Sequence, residues 1–219
     1  PHCPKEWETK LGKLRFQLRF MDNSKQFGVF AEQSPHWEWL AKQPTQSEPK
    51  PRLLNLFGYT GAASLVAAQA GWHVTHVDAS KPAVAWGRRN QELSGLATAP
   101  IRWIIEDAMT FVKREVKRGN HYEAILLDPP AFGRGPSGEF WKVERDLAPL
   151  LRACRQLLSP QARFIILTAS IGNLPLAVSS RSASASACRI TDVATSDTSA
   201  LVGSGFSVML ASIWVATID

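Results

Sequence analysis

Short strand-like runs and helix-like segments alternate along the middle of the chain. Five short, mostly apolar runs predict β-strands at Leu53–Phe57, His73–Val77, Ile101–Ile105, Ala124–Leu127 and Phe164–Leu167. Four longer segments, closed by glycine or proline, predict helices at Ala62–Ala70, Lys81–Ser94, Ala108–Arg118 and Arg145–Leu158. Because parallel strands joined by helical crossovers give this alternation, we predict an α/β fold whose mostly parallel sheet has helices on both faces.

The two ends of the chain follow other patterns. Residues 11–20 alternate as in a half-exposed strand, with 28–30 as the candidate hairpin partner, and a short helix is predicted after Pro35. Because residues 43–51 are polar and rich in proline, we predict an N-terminal β cap with a short helix in 1–45 and the main domain in 46–219. Residues 170–204, rich in Ser, Ala and Thr, are expected to be irregular, and one or two strands follow within 206–218.

The composition narrows the class of protein. Of the 219 residues, 45% are hydrophobic and 20% are charged, which fits one folded domain and excludes a mostly disordered chain. No apolar run approaches the ~20 residues that span a bilayer, so we expect no membrane partner. The 25 Lys and Arg residues exceed the 19 Asp and Glu residues, and this excess of positive charge is compatible with a polyanionic partner.

The cysteines indicate a reducing compartment. Cys3, Cys154 and Cys188 are odd in number and contain no C-x-x-C pair, so neither a disulfide framework nor a structural zinc site is expected. The histidines form no cluster of metal ligands, and we expect no metal. The chain begins at Pro1 without an apolar signal core. We expect a cytoplasmic protein, or an organellar one if an upstream targeting segment has been removed.

A glycine loop, Gly58-Tyr59-Thr60-Gly61, joins the first predicted strand of the sheet to the helix that follows. In an open α/β sheet, ligands bind beyond the carboxyl ends of the strands, and the N–H groups at a helix N-terminus favour an anionic group. The loop therefore predicts a site for a carboxylate or a phosphate. The alternative is a tight strand-to-helix turn that binds nothing.

Acidic residues follow the next three strands. Asp78 lies 20 residues after Gly58, where an acid typically accepts the hydroxyls of a ribose, and Asp107 and Asp128 end the third and fourth strands. The alternative is that all three acids cap helices. A nicotinamide dehydrogenase is disfavoured because the loop reads G-x-x-G rather than G-x-G-x-x-G, and because it would leave Asp128-Pro129-Pro130 unexplained.

Three segments together resemble the class I S-adenosylmethionine-dependent methyltransferases: LLNLFGYTGAASLVAA, HVDASKPAVAWGRRNQELSGL and ILLDPPAFGRGPSGEFWKVERDL. The closest resemblance is to the methyltransferases of large-subunit ribosomal RNA, the group that includes cytosine-C5 enzymes, and the upstream GVFAEQSPHWEWL also resembles that group. The resemblance implies a Rossmann-like methyltransferase sheet with a small N-terminal β cap, and S-adenosylmethionine as the cofactor.

The resemblance also implies roles for individual residues. The loop would bracket the methionine part of the cofactor, Asp78 would hold the ribose, and Asp107 would face the adenine. The full set of expected cofactor contacts is Gln33, Phe57, Gly58, Tyr59, Thr60, Gly61, Asp78, Ala79, Ser80, Asn90, Asp107, Ala108 and Asp128. The expected catalytic set, at the sulfonium and the substrate mouth, is Asp128, Pro129, Pro130 and Phe132.

The sequence departs from the cytosine-C5 pattern in its target chemistry. Enzymes that methylate this carbon usually add a cysteine thiolate to the ring, from the loop after the fourth strand or from just beyond the fifth. Here those positions read Pro129-Pro130-Ala131 and Thr168-Ala169-Ser170. The expected catalytic cysteine is therefore missing from both positions.

The substrate class follows from the family and from the residues around Asp128. Cations and aromatics lie close to this loop in the sequence, at Phe132, Arg134, Phe140, Trp141 and Lys142. They suit a flipped base and its phosphates, so we expect RNA as the partner, with ribosomal RNA favoured. A methyltransferase for a small molecule or a protein side chain remains an alternative, as does a non-catalytic module that binds the cofactor or RNA. The sequence gives neither the methylated atom nor the oligomeric state.

Overall fold

A computed structural model of the chain describes residues 5–20, 27–168 and 214–217. Its largest feature is a six-stranded sheet in the order β10-β9-β6-β3-β4-β5. Five strands are parallel and β10 is antiparallel to β9, as the mostly parallel prediction requires. The six strands are β3 (Arg52–Leu56), β4 (His73–Asp78), β5 (Ile101–Ile105), β6 (Ala124–Leu127), β9 (Phe164–Leu167) and β10 (Trp214–Thr217).

Both faces of the sheet are covered, which explains why its strands are apolar without strict alternation. Leu53 and Leu54 are both fully buried, yet they belong to two different hydrophobic clusters on opposite faces of β3. One cluster includes residues of α1 and α2, and the other includes residues of α4 and α5. The helices are α1 (Ser34–Ala41), α2 (Ala62–Gln69), α3 (Lys81–Leu93), α4 (Ala108–Lys117) and α5 (Val143–Arg155).

The small N-terminal β cap is present, but its strands pair differently from the prediction. β1 (Glu6–Leu11) pairs with β2 (Leu14–Arg19) in an antiparallel hairpin, so residues 28–30 are not the partner strand. Gly12, with a φ of 58°, turns the chain inside the stretch 11–20 that the alternation predicts as one strand. The division into two domains after residue 45 is not tested by these observations and stays a prediction.

Two further short strands lie beyond β6 and were not predicted from the sequence. β7 (Phe132–Arg134) and β8 (Phe140–Lys142) form a second antiparallel hairpin, which precedes α5. α5 begins at Val143 and ends at Arg155, earlier at both ends than the pattern predicts. The prediction of an irregular stretch at 170–204 and that of a strand within 206–211 lie outside the described residues.

Asn90 on α3 joins the N-terminal hairpin to the loop after β3. Its side chain is fully buried; Oδ1 accepts the backbone N–H of Gln17 at 2.9 Å, and Nδ2 donates to the backbone carbonyl of Thr60 at 3.1 Å. The amide is therefore committed to two backbone groups from separate parts of the chain. We infer that Asn90 positions the loop and the cap, and its predicted contact with the cofactor stays a prediction.

Replacement of Asn90 by alanine is expected to destabilise the fold, because it leaves the Gln17 N–H and the Thr60 carbonyl without their partner. Each unsatisfied buried group costs ~1–3 kcal/mol. Chemical unfolding monitored by circular dichroism measures the loss, with the exposed Gln69→Ala as the control. Equal stabilities of the two variants would contradict the bridging role.

Candidate cofactor-binding and active site

The candidate site lies where the direction of the sheet order reverses. From β3 the chain continues to β4 on one side, and later returns to place β6 on the other side of β3. The loops that leave two neighbouring strands at this point diverge, and the crevice between them is the usual ligand site of an open α/β sheet. The loop Phe57–Gly61 and the loop at Asp128 bound this crevice.

The loop after β3 has an unusual backbone. Phe57 and Tyr59 adopt positive φ angles of 57° and 49°, and Gly61 has a φ of 85°. The Gly61 N–H donates to the Gly58 carbonyl at 3.0 Å, which closes the turn just before α2 begins. A non-glycine residue in the left-handed region costs of order 1–3 kcal/mol, and such residues cluster at ligand sites.

The two glycines of the loop are required by packing within the protein. A Cβ on Gly58 would lie 2.5 Å from Nδ1 of His76, and a Cβ on Gly61 would lie 2.7 Å from the Trp103 ring. The sequence offers two reasons for a glycine loop here, a bound anionic group or a tight strand-to-helix turn. The structure adds a cause inside the fold, since side chains of β4 and β5 already fill the space beneath the loop.

His76 supports the loop from below. It is fully buried, its Nδ1 lies 3.0 Å from the Ser64 hydroxyl, and the Asn55 amide donates to the same hydroxyl at 2.9 Å. Burial lowers the pKa of His76 to about 3, so the ring is neutral at physiological pH. A neutral imidazole in this position acts as a packing and hydrogen-bonding group rather than as a proton donor.

Asp78 ties the end of β4 to the strained loop. Its Oδ2 accepts the Tyr59 N–H at 2.7 Å, and its Oδ1 accepts the Ser80 N–H at 2.8 Å. Burial raises the pKa of the Asp78 carboxyl above its ordinary value, and these two backbone hydrogen bonds oppose that rise. Each carboxylate oxygen uses one lone-pair site on the backbone and has acceptor capacity for a further donor.

Asp128 is fixed by side chains from two other elements. Gln33, at the end of a short 3-10 helix (Ala31–Gln33), donates from Nε2 to Oδ2 at 2.6 Å. Thr168, directly after β9, donates its hydroxyl to Oδ1 at 2.7 Å. Burial raises the pKa of the Asp128 carboxyl, while the hydrogen bonds from Thr168 and Gln33 lower it. The carboxylate is thereby oriented between the N-terminal segment and the sheet.

A single cleft, open to solvent, brings many of the predicted residues together. Six of the expected cofactor contacts line it: Gln33, Phe57, Gly58, Tyr59, Thr60 and Asp128. Its wall also includes residues that were not predicted from the sequence, among them His36 and Thr168. Thr168 could have been predicted from the sequence as a site residue, because it follows β9 at the same edge of the sheet as Asp128.

The remaining predicted contacts lie outside the lining of this cleft. Asp107 accepts the Thr110 N–H at 2.8 Å and so caps α4, and Ser80 similarly caps α3. Asp107 is therefore the only one of the three strand-end acids that takes the helix-cap role, since Asp78 and Asp128 make other contacts. Ala108 is buried at the start of α4, and Ala79 follows β4.

The residues predicted to be catalytic follow β6 or lie in the hairpin after it. Pro129 is buried and Pro130 is exposed, and the Pro130 carbonyl accepts the indole N–H of Trp141 at 2.7 Å. Phe132 is exposed over 74% of its surface. The Asp-Pro-Pro segment is thus held by the hairpin that follows it, and Phe132 faces solvent.

The described cysteine is not placed for catalysis. Cys154 lies on α5 in the hydrophobic core, and burial raises the pKa of its thiol to about 12. A thiol with this pKa is protonated at neutral pH and is a poor nucleophile. Cys3 and Cys188 lie outside the described residues.

Two searches of the described residues bear on other kinds of site. None of their helices combines the length and apolar character that crossing a membrane demands. Within 5–20, 27–168 and 214–217, no three His, Cys, Asp or Glu side chains are grouped as a metal site would require.

The sheet order and the cleft at its switch point define the class of protein as a Rossmann-like α/β protein with a ligand site at the carboxyl ends of its strands, and comparison with known sequences identifies the family. The profile of the S-adenosylmethionine-dependent methyltransferase family matches residues 3–186. The chain belongs to this family. The resemblance stated from the sequence, the class I methyltransferase fold and the S-adenosylmethionine cofactor are thereby confirmed.

Curated relatives match over part of their length. The ribosomal RNA large subunit methyltransferase K/L of Hahella chejuensis is 36% identical over 135 residues, which cover 61% of this chain and 18% of that protein. The protein of the same name from Shewanella frigidimarina is 38% identical over 115 residues, 52% of this chain and 16% of the relative. The chain thus spans less than a fifth of these relatives.

Solved structures support the same fold. The S-adenosylmethionine-dependent methyltransferase of Agrobacterium tumefaciens is 48% identical with a TM-score of 0.76, over 80% of this chain and 56% of that one. SMU.776, solved in complex with S-adenosylhomocysteine, is 25% identical with a TM-score of 0.70, over 80% of this chain and 44% of that one.

Asp78→Ala is expected to weaken S-adenosylmethionine binding for two reasons. It removes the expected ribose acceptor, worth ~1.5–3 kcal/mol for a charge-assisted hydrogen bond, and it releases the Tyr59 N–H that holds the loop. Asp78→Asn should weaken cofactor binding to a similar extent. An amide has only one acceptor oxygen, so it cannot accept the Tyr59 and Ser80 N–H groups on two separate oxygens as the carboxylate does. Isothermal titration calorimetry measures both affinities, and wild-type affinity in either variant would refute the assignment.

Proposed function

We propose that this chain carries the cofactor-binding and catalytic part of an RNA methyltransferase, with ribosomal RNA as the favoured substrate. The family membership supports methyl transfer, and the two relatives named for large-subunit ribosomal RNA support the substrate. The observation that carries the proposal is the Asp128 carboxylate, which is oriented by Gln33 and Thr168 at the wall of the cofactor cleft. We also infer a cytoplasmic location from the cysteine pattern, or an organellar one if a targeting segment preceded Pro1.

The cleft fits S-adenosylmethionine. The first turn of α2 has no side-chain cap, so its N–H groups are available for the carboxylate of the methionine part beside Phe57–Gly61. Asp78 has the remaining acceptor capacity that the ribose hydroxyls need. Asp107 and Ala108, with Ala79 and Ser80, would flank the adenosine, and Gln33 would close the cleft from the N-terminal side.

The main role of the protein in this reaction is to align the substrate atom with the methyl group of the cofactor. When bound, S-adenosylmethionine supplies an electrophilic methyl group on a sulfonium, so the substrate atom must be placed in line with it. Asp128 can accept a hydrogen bond from an amine nucleophile and then take its proton. Pro129 and Pro130 restrict the backbone around this carboxylate, and Phe132 borders the substrate side.

A nitrogen nucleophile agrees better with these residues than a pyrimidine carbon does. Attack by cytosine C5 usually needs a cysteine adduct, and Cys154 is buried on α5 with a raised pKa. The positions where the family places the cysteine carry Pro130-Ala131 and Thr168-Ala169. Asp128, in contrast, has the acceptor chemistry that an amine requires.

Incubation of the purified chain with methyl-labelled S-adenosylmethionine and unmodified large-subunit ribosomal RNA should give label that ribonuclease releases. Asp128→Ala is expected to lower the rate by about 10²–10⁴-fold, the usual contribution of a general base. The exposed acid Glu144, changed to alanine, is the matched control. Label in protein instead of RNA would support the alternative substrate class, and no transfer to any substrate would support a non-catalytic module.

The cysteines give a separate test of the target atom. The combined variant Cys3→Ser, Cys154→Ala and Cys188→Ser is expected to keep methyl transfer within about threefold of the wild type, if no thiolate adds to the substrate. Its folding is checked by circular dichroism. Loss of transfer from a folded variant that still binds the cofactor would instead indicate a thiol mechanism.

The pH dependence should respond in opposite directions to two neighbouring changes. Gln33→Ala removes a hydrogen bond that stabilises the charged form of Asp128, so the pKa rises further and the acidic limb of kcat/KM moves to higher pH. Glu32→Gln removes a negative charge that raises this pKa, so the limb moves to lower pH. The second shift should be smaller, because Glu32 is exposed and screened. Shifts in the same direction would exclude Asp128 as the titrating base.

A further inference from the structure

The hairpin of β7 and β8, which we name the aromatic hairpin (132–142), follows the Asp-Pro-Pro segment directly. Its register pairs Phe132 with Lys142 and Arg134 with Phe140. Because side chains alternate between the faces of a strand, these four residues share one face of the hairpin. The face is therefore a pattern of two phenyl rings and two cations, with each ring opposite a cation.

The opposite face fixes the hairpin to the active site. Trp141 is only 6% exposed, its ring centroid lies 4.9 Å from that of Phe57, and its indole N–H is bonded to the Pro130 carbonyl. The tip is closed by a hydrogen bond from the Gly135 N–H to the Glu139 carbonyl at 2.7 Å. The orientation of the outer face is thus set by contacts with the Asp-Pro-Pro segment and with the loop after β3.

The outer face is exposed although it is apolar. Phe132 and Phe140 expose 74% and 51% of their surfaces, and they are two of the five large hydrophobic residues exposed among the described ones. Rings that remain in water contribute little to folding, so their exposure on an ordered hairpin indicates a surface for a partner.

The charge of the face selects the partner. In the described part of the chain, neither Arg134 nor Lys142 forms an ion pair, whereas the nearby Asp146 is paired with Arg145. The Glu139 carboxylate is turned toward the Ser137 N–H of the tip, at 2.9 Å. The face is therefore positive as well as aromatic, which is complementary to a polyanion that carries flat, stackable groups.

We propose that the outer face of the aromatic hairpin binds single-stranded RNA next to the target nucleotide. Bases stack on Phe132 and Phe140, and the phosphates between them contact Arg134 and Lys142. A duplex hides the faces of its bases, so this surface discriminates in favour of unpaired RNA. The inference rests on the proposed RNA substrate. It adds that the aromatic hairpin binds the RNA strand and that this strand must be unpaired.

Fluorescence anisotropy with a short labelled single-stranded RNA, the full chain and saturating S-adenosylhomocysteine tests the stacking. Phe140→Ala should weaken RNA binding by about tenfold or more, the usual effect of losing one stacked base. Phe140→Trp should keep the affinity of the wild type and Phe140→Leu should not, since tryptophan keeps an aromatic face and leucine does not. Phe20→Ala is the matched control, because Phe20 is also 51% exposed but lies on the N-terminal hairpin.

The salt dependence tests the cations. The double variant Arg134→Ala and Lys142→Ala should lower the slope of log Kd against log salt concentration by about 0.7 for each lost phosphate contact. Lys113→Ala with Lys117→Ala removes the same charge from exposed positions of α4 and should leave the slope unchanged.

The outcomes separate this inference from the proposed function. Equal affinities of wild type and Phe140→Ala, equal competition by duplex RNA, or no RNA binding at all would each overturn the role of the hairpin. If the hairpin variants transfer methyl groups to RNA with an unchanged KM for RNA, the role of the hairpin is overturned and the proposed function stands. Hairpin-dependent RNA binding without methyl transfer would support the hairpin and reject the proposed function. Calorimetry should show unchanged cofactor affinity in every hairpin variant.

Discussion

The carboxylate of Asp78 holds the loop Phe57–Gly61 in a conformation that the chain would otherwise avoid, and this loop forms one wall of the candidate cleft. The conformational cost of positive φ at Phe57 and Tyr59 is offset by the hydrogen bond from the Tyr59 N–H to Asp78 and by the packing of Gly58 on His76. His76 can be buried there because it remains neutral and has Ser64 as a partner. Contacts within the protein therefore set the shape of the cleft at this loop.

The N-terminal segment is part of the same site. The Thr60 hydroxyl donates to the Gly28 carbonyl, and Asn90 joins Thr60 to Gln17 on β2. Gln33 extends the connection to Asp128, so the cap contacts the loops after both β3 and β6. Because these contacts converge from distant parts of the sequence, the position of the Asp128 carboxylate relative to the loop Phe57–Gly61 is set by tertiary structure rather than by either loop alone.

The sequence predicts the sheet and the location of the cleft, because parallel strands necessarily bring their carboxyl ends to one edge. It does not predict what lies beneath Gly58 and Gly61, since His76 and Trp103 belong to other strands and carry no local signal of that contact. The strands β7 and β8 have three residues each, too few for a detectable period. The sequence also does not predict that the buried Asn90 amide bridges two backbone segments, because Gln17 and Thr60 lie far from it along the chain.

A crystal structure of the chain with S-adenosylhomocysteine tests the central claim most directly. The account predicts that the ribose hydroxyls bond to Asp78, that the Asp78 carboxylate still accepts the Tyr59 N–H, and that Phe57 and Tyr59 keep their positive φ angles. A ligand bound elsewhere, or a loop that leaves Asp78 and relaxes to negative φ on binding, would contradict a cleft preformed by the sheet.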